Sequence, residues 1–163
     1  MAKGESTREK PSVLFVCLGN ICRSPMAEAV FKHVVKEKGL EERFGAINSA
    51  GTAGYHVGEK PDPRSTATCV NHGVPVHHFA QQVSKNHFRD FDWILCMDES
   101  NLADLKRKQP PGSTSKVQLF GDFDPKGDKI IKDPYYGGID GFEYNYKQVV
   151  RCSEGFLKHL EMI

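Results

Sequence analysis

A cysteine and an arginine stand six positions apart in a segment typical of oxyanion binding. Cys17 and Arg23 enclose five residues, and Ser24 and Pro25 follow directly. A cysteine thiolate is a strong nucleophile, and the planar guanidinium of arginine can hold two phosphate oxygens. The spacing therefore predicts phosphoryl chemistry at a cysteine.

The residues between this pair suit a curled loop whose backbone N–H groups point inward at an anion. Gly19 and Asn20 tolerate left-handed backbone angles, and Pro25 suits the first turn of a following helix. Inward N–H groups, a helix N-terminus and Arg23 would all favour the thiolate of Cys17. The predicted phosphate-binding residues are Leu18, Gly19, Asn20, Ile21, Cys22 and Arg23.

An isolated cysteine at a strand end is more often an inert core residue, and this alternative applies to Cys17 and Cys22. Here, however, a strand, a cysteine, a flexible turn, an arginine and a Ser-Pro helix start coincide. The agreement of these features favours the interpretation that Cys17 is a nucleophile.

Strands and helices alternate along the chain. Buried apolar runs and β-branched residues predict strands at 13–16, 46–49, 92–97 and 116–120, with 74–79 ambiguous. Helical spacing of apolar side chains predicts helices at 27–35, from 64, at 100–108 and at 142–160. We expect a flexible tail over 1–11 and one doubly wound α/β domain over 12–163. Its mainly parallel central sheet would have about four strands, with helices on both faces.

Composition restricts the partners and the compartment. The 163 residues carry a formal net charge of +1, which does not predict a nucleic-acid surface. No apolar run approaches the roughly 18 residues of a membrane helix, and the polar start lacks a secretory signal. Five cysteines, an odd number, argue against a disulfide framework. We therefore expect a cytoplasmic protein that is neither membrane-bound nor associated with nucleic acid, a monomer or weakly self-associating.

The segment VCLGNICRSPMAEAVF closely resembles the signature of low-molecular-weight protein tyrosine phosphatases, which use a Cys-x5-Arg loop. Further segments resemble that family in the same order over residues 12–160: INSAGT, PDPRS, NHG, DWILCMDESNL, KDPYYG and VVRCSEGFLKHL. The resemblance implies a metal-independent acid phosphatase without a cofactor. Phosphotyrosine-containing proteins and small aryl phosphates would be hydrolysed through a cysteinyl-phosphate intermediate.

The resemblance also supplies a general acid and a wall for the substrate ring. Asp133 in KDPYYG would protonate the leaving oxygen, whereas an Asp-Pro pair alone more often marks a turn. Tyr135 and Tyr136 would line one side of the pocket. Tyr55 would face them, from a loop that departs from the more common family pattern with Trp.

A supporting hydrogen-bond network is implied as well. It would consist of Asn20, Ser24, Ser49 and His78, with the spacing from NHG favouring His78 over His77. Cys22, in the same tight loop as Cys17, could trap an oxidised Cys17 as a reversible disulfide.

Three other functions stay open on the sequence alone. An arsenate reductase of similar fold would need additional redox cysteines. A catalytically silent phosphopeptide-binding module would keep the anion site and lose the nucleophile or the acid. A purely structural domain would not need the clustered loop residues.

Overall fold

The computed structural model describes residues 10–135 and 138–163, and its centre is a four-stranded parallel sheet. The strands are β1 Val13–Cys17, β2 Ile47–Gly51, β3 Trp93–Cys96 and β4 Lys116–Leu119, in the spatial order β2-β1-β3-β4. The strand order reverses at β1, and in such sheets a crevice opens at the carboxyl ends of the strands beside that point. The predicted doubly wound α/β fold is confirmed. Residues 1–9, most of the predicted tail, and Tyr136 lie outside the described residues.

Helices cover both faces of the sheet. They are α1 Arg23–Glu37, α2 Pro63–Asn71, α3 His87–Asp90, α4 Glu99–Lys108 and α5 Ile139–His159, with short 3-10 turns at Glu41–Arg43 and Phe120–Phe123. Alternate side chains of β1 supply the two cores: Phe15 packs with α1 and α5, and Leu14 packs on the face of α3 and α4. Within the part of the chain that the structure describes, no helix combines the length and apolar character needed to cross a membrane.

The ambiguous segment 74–79 is not a strand. Pro75 has no N–H to donate to a ladder. The chain approaches the edge of β2 only a few residues later, where Gly51 and Gln82 form an isolated bridge. His78 turns its side chain toward the end of β1 and bonds to Asn20. The segment therefore braces a loop and does not extend the sheet.

The long final helix lies unusually close to the turn that follows β4. At Gly155 in α5, a Cβ would overlap the carbonyl oxygen of Phe123. This close approach brings α5 against the start of the segment that leads to Asp133. Gly155 is thus a packing requirement inside a helix, where glycine is otherwise unfavourable.

We predict that Gly155→Ala destabilises the protein. Helix propensity alone would stabilise the variant by about 1 kcal/mol. Overlap with a backbone carbonyl forces the helix to move, and we expect a net loss of roughly 1–3 kcal/mol in the free energy of unfolding. Urea denaturation measures the difference, and Glu154→Ala at the exposed neighbouring position is the control. A Gly155→Ala protein as stable as the parent would contradict this account.

Candidate active site

The nucleophile candidate lies where β1 meets α1. Cys17 is the last residue of β1 and Arg23 the first of α1, so the intervening loop sits at the carboxyl edge of the sheet. Asn20 has a left-handed φ of 58°, which an asparagine adopts more readily than most residues. A Cβ on Gly51 would overlap Leu18 O, so a bare backbone at the end of β2 is needed for the loop to fit.

The sulfur of Cys17 lies within hydrogen-bonding distance of a serine hydroxyl. Cys17 is 3% exposed, and its Sγ lies 3.0 Å from Ser24 Oγ. Asn20 Nδ2 donates to that same Ser24 Oγ at 2.8 Å. The oxygen can accept from the amide while its own proton goes either to the sulfur or to the carbonyl oxygen of Ala50, which is 3.5 Å away.

The Asn20 side chain connects the loop to two neighbouring elements. Its Nδ2 also donates to Ser49 Oγ at 3.1 Å, and its Oδ1 accepts from His78 Nε2 at 2.6 Å. Gln81 N is a further donor to Oδ1 at 2.9 Å. The structure thus brings together Asn20, Ser24, Ser49 and His78, and it adds Gln81, which the sequence did not single out.

A buried carboxylate completes this network. Glu28, on the buried face of α1, accepts from Ser49 Oγ at 2.7 Å and pairs with Lys32 at 2.6 Å. His78 Nδ1 lies 3.4 Å from the same carboxylate. Burial lowers the pKa of His78, and the attraction of Glu28, partly countered by Lys32, does not restore it. The sequence analysis did not identify Glu28. A glutamate within the apolar stripe of a predicted helix could have indicated a buried carboxylate.

Arg23 is a buried guanidinium anchored on one edge. Its Nη1 donates to Asp98 Oδ2 at 2.6 Å and to the carbonyl oxygen of Ile131 at 2.9 Å. Asp98 is also the N-cap of α4, where its side chain accepts from Asn101 N at 2.8 Å. Sequence reasoning missed Asp98. Its position just after the apolar run of β3, at the functional edge of a parallel sheet, was the signal that could have found it.

Asp133 faces Arg23 across the mouth of the pocket. Its Oδ2 lies 3.7 Å from Arg23 Nη2, and 45% of its side chain is exposed. Its Oδ1 accepts from Tyr135 N at 3.0 Å, so the Asp-Pro pair does form a local turn. The turn and a catalytic position are therefore compatible.

These side chains enclose a pocket of about 230 Å³. Its lining comprises Cys17, Leu18, Gly19, Ile21, Cys22, Arg23, Tyr55, His56, Asp133 and Tyr135. Tyr55 is 73% exposed at the rim, and His56, which sequence reasoning did not consider, packs over Gly19. A larger cavity of about 770 Å³ lies beside α1, but neither Cys17 nor Asp133 lines it. The smaller pocket, which both residues line, is therefore the candidate active site.

The other thiols lie in environments unfavourable to a thiolate. Burial, and then the charge of Asp62, raise the pKa of Cys22. Burial raises the pKa of Cys69, Cys96 and Cys152 to about 12. These thiols stay protonated at neutral pH.

Comparisons with known proteins agree with this geometry. The profile of the low molecular weight phosphotyrosine protein phosphatase family matches residues 12–162. A protein of that name from Saccharomyces cerevisiae is 54% identical over 157 residues, which cover 93% of this chain and 98% of the relative. The solved structure of a protein tyrosine phosphatase from Entamoeba histolytica gives a TM-score of 0.88 at 36% identity, covering 93% of this chain and 97% of the other. The solved structure of a Drosophila arginine phosphatase gives a TM-score of 0.85 at 40% identity, covering 91% of this chain and 97% of the other. The chain therefore belongs to the low molecular weight phosphotyrosine protein phosphatase family.

Proposed function

We propose that Cys17, Arg23 and Asp133 carry out the protein tyrosine phosphatase reaction of this chain as nucleophile, phosphate clamp and general acid. Phosphotyrosine-bearing proteins and small aryl phosphates are the substrates. The observation that carries the proposal is the Cys17 sulfur, 3.0 Å from Ser24 Oγ, in one pocket with the Arg23 guanidinium and the Asp133 carboxyl.

Arg23 is oriented before the substrate arrives. Its Nη1 is engaged by Asp98 and by the Ile131 carbonyl, which leaves the Nε and Nη2 edge for two phosphate oxygens. The N–H groups of residues 18–23 supply the remaining donors to the dianion. Binding then requires little reorganisation.

Two chemical steps follow. In the first, the Cys17 thiolate attacks phosphorus while Asp133 donates its proton to the departing phenolate oxygen, which gives a cysteinyl phosphate and a phenol. In the second, water attacks phosphorus and Asp133 accepts its proton, which releases inorganic phosphate and restores the thiolate. Arg23 and the loop N–H groups stabilise the equatorial oxygens in both steps.

The rim selects an aryl group. Leu18 and Ile21, within the loop, are apolar lining residues, and Tyr55 and Tyr135 line the same pocket. A flat phenyl ring fits between such side chains by edge or face contact. Tyr136, the remaining predicted wall residue, lies outside the described residues.

An arsenate reductase would need a further redox thiol, besides Cys22, in a mobile segment that can reach the Cys17 adduct. Cys69 and Cys96 are both fully buried, and burial raises the pKa of each. A silent phosphopeptide-binding module would not need a carboxyl group facing Arg23. The geometry supports turnover of phosphate esters.

Residues 12–163 form one phosphatase domain in this proposal, and the domain acts in the cytosol. The family match over 12–162 supports the domain boundaries. All five cysteines are free, and the nucleophile must remain reduced to react, which a reducing compartment ensures.

We predict that Asp133→Ala acts selectively on substrates with poor leaving groups. Those phenolates require the proton, so kcat/KM should fall by about 100-fold or more for phenyl phosphate and far less for an activated nitrophenyl ester. Cys17→Ser should abolish turnover, and vanadate should inhibit the parent while EDTA does not. Asp140→Ala, an exposed carboxyl in α5, is the control. Equal losses across all leaving groups would argue against Asp133 as the acid.

We predict that His78 contributes to acid sensitivity. Because burial holds the pKa of His78 below its ordinary value of 6.5, the unfolded chain binds more protons than the folded one as pH falls toward the folded value. The free energy of unfolding should therefore fall as the pH falls through that window. His78→Gln should weaken this dependence, by at most about 1.4 kcal/mol per pH unit for one proton. Urea denaturation at several pH values measures it, with exposed His77→Gln as the control. Identical pH profiles for His78→Gln and the parent would refute the assignment.

We predict that mild peroxide links Cys17 to Cys22. Peroxide converts the Cys17 thiolate to a sulfenic acid, and the Cys22 thiol displaces water from it to give the disulfide. Peptide mass spectrometry should show this link, reversed by dithiothreitol. Cys22→Ser should lose reversibility, whereas Cys152→Ser should retain it. Recovery that is unaffected by Cys22→Ser would exclude the resolving role.

A further inference from the structure

The proposed general acid, Asp133, ends a short extended segment, residues 130–133, which we call the acid segment. Side chains hold the carbonyl groups of this segment. Gln148 Nε2 donates to the carbonyl of Ile130 at 3.0 Å. Asn145 Nδ2 donates to that of Lys132 at 3.0 Å. The carbonyl between them accepts from Arg23. Successive carbonyls of an extended chain point in opposite directions, so the first and third face α5 and the second faces the phosphate clamp.

The two α5 donors are polar side chains inside a packed core. Asn145 is 2% exposed and Gln148 is 0% exposed, and their spacing of three places them on one face of the helix. Apolar side chains of α5, including Phe142 and Val149, are fully buried on either side. Burying amide groups among apolar neighbours is unfavourable unless their hydrogen bonds are made. The NH2 groups of both residues are bonded, whereas Gln148 Oε1 has no hydrogen-bond partner among the described residues. Both amides direct their NH2 groups to the acid segment.

Further contacts fix the same segment. Gln148 Nε2 lies 2.7 Å from Asp128 Oδ2, which also accepts from Tyr144 at 2.7 Å. Ile131 is fully buried, and its N–H donates to Met97 O at 2.9 Å. The backbone before the acid is therefore held from α5, from the end of β3 and from Arg23.

The acid itself depends on this backbone. The Asp133 side chain is half exposed, and its 3.7 Å separation from Arg23 Nη2 exceeds hydrogen-bonding distance. Asn145 binds the carbonyl of the residue directly before it. The backbone anchors thus determine where the carboxyl group stands relative to the clamp.

We propose that Asn145 and Gln148 are positioning residues for proton transfer, which keep the Asp133 carboxyl over the leaving oxygen without touching the substrate. The inference rests on the proposed role of Asp133 as general acid. Proton transfer requires hydrogen-bond reach, and a displacement of about 1 Å can cost a large factor in rate. Loosening the segment should therefore slow the reaction most for substrates whose leaving group is a poor one and needs the proton, and least for substrates with a good leaving group.

The test uses Asn145→Leu and Gln148→Met in the full chain, which keep approximate volume and remove the donor. We measure kcat/KM for aryl phosphates whose phenols range from strongly acidic to weakly acidic. We expect each variant to lose roughly 5–20-fold with phenyl phosphate and less than about twofold with a dinitrophenyl ester. Near-parental activity on the activated ester demonstrates an intact fold and an intact nucleophile in the same sample.

Gln109→Met is the matched control. Gln109 Nε2 donates to Ser115 O at 3.0 Å at the end of α4, so the variant also loses a side-chain bond to a backbone carbonyl, away from the pocket. It should leave the dependence on the leaving group unchanged. The same steepening in Gln109→Met would overturn the inference.

A double-mutant cycle separates positioning from general loss of structure. In the Asp133→Ala background, Asn145→Leu should change kcat/KM for phenyl phosphate by less than about twofold, because the group that it positions is gone. Additive losses, or equal losses across leaving groups in the single variants, would overturn the inference while Asp133 remains the acid. If Asp133→Ala alone does not steepen the dependence, the proposed function fails and the inference fails with it.

Discussion

The hydrogen bond between Ser24 and the Cys17 sulfur is the interaction on which the candidate site depends. Asn20 donates to the same serine oxygen and so holds the hydroxyl beside the sulfur. Asn20 can do so because it adopts a left-handed backbone conformation at the tip of the loop. The hydrogen bond that Asn20 accepts from His78 and the one that it donates to Ser49 offset the strain of that conformation.

A second constraint is the buried positive charge of Arg23. An unpaired guanidinium in this position would be strongly destabilising, and Asp98 compensates it at 2.6 Å. The pairing also has a geometric consequence. It fixes the Nη1 edge against α4 and the Ile131 carbonyl and leaves the opposite edge for the pocket that we propose as the phosphate site. One ion pair thereby connects the phosphate loop, the end of β3 and the acid segment.

The sequence predicted the parts of the site that are local and left out the parts that depend on distant partners. Cys17, Arg23 and the strand before them are contiguous, and their types and spacing carry a chemical meaning. Asp133 had no such signal, because an Asp-Pro pair mostly marks a turn, and only the family resemblance singled it out. Asp98 and Glu28 are ordinary surface residue types whose roles arise when the folded chain places Asp98 against Arg23 and buries Glu28 beside Ser49.

The two halves of the proposed chemistry come from opposite ends of the chain, and different elements stabilise them. The proposed phosphate loop lies between β1 and α1 and packs against the end of β2 at Gly51. The acid segment is held mainly by the polar side chains of α5, with Arg23 as its link to the loop. In the proposed mechanism, loss of these α5 donors therefore loosens proton transfer before it disturbs the nucleophile. This division accounts for the buried amides of an amphipathic final helix: its apolar face stabilises the fold, and its buried donors hold the segment before Asp133 together with the bond from Ile131 N–H to Met97 O.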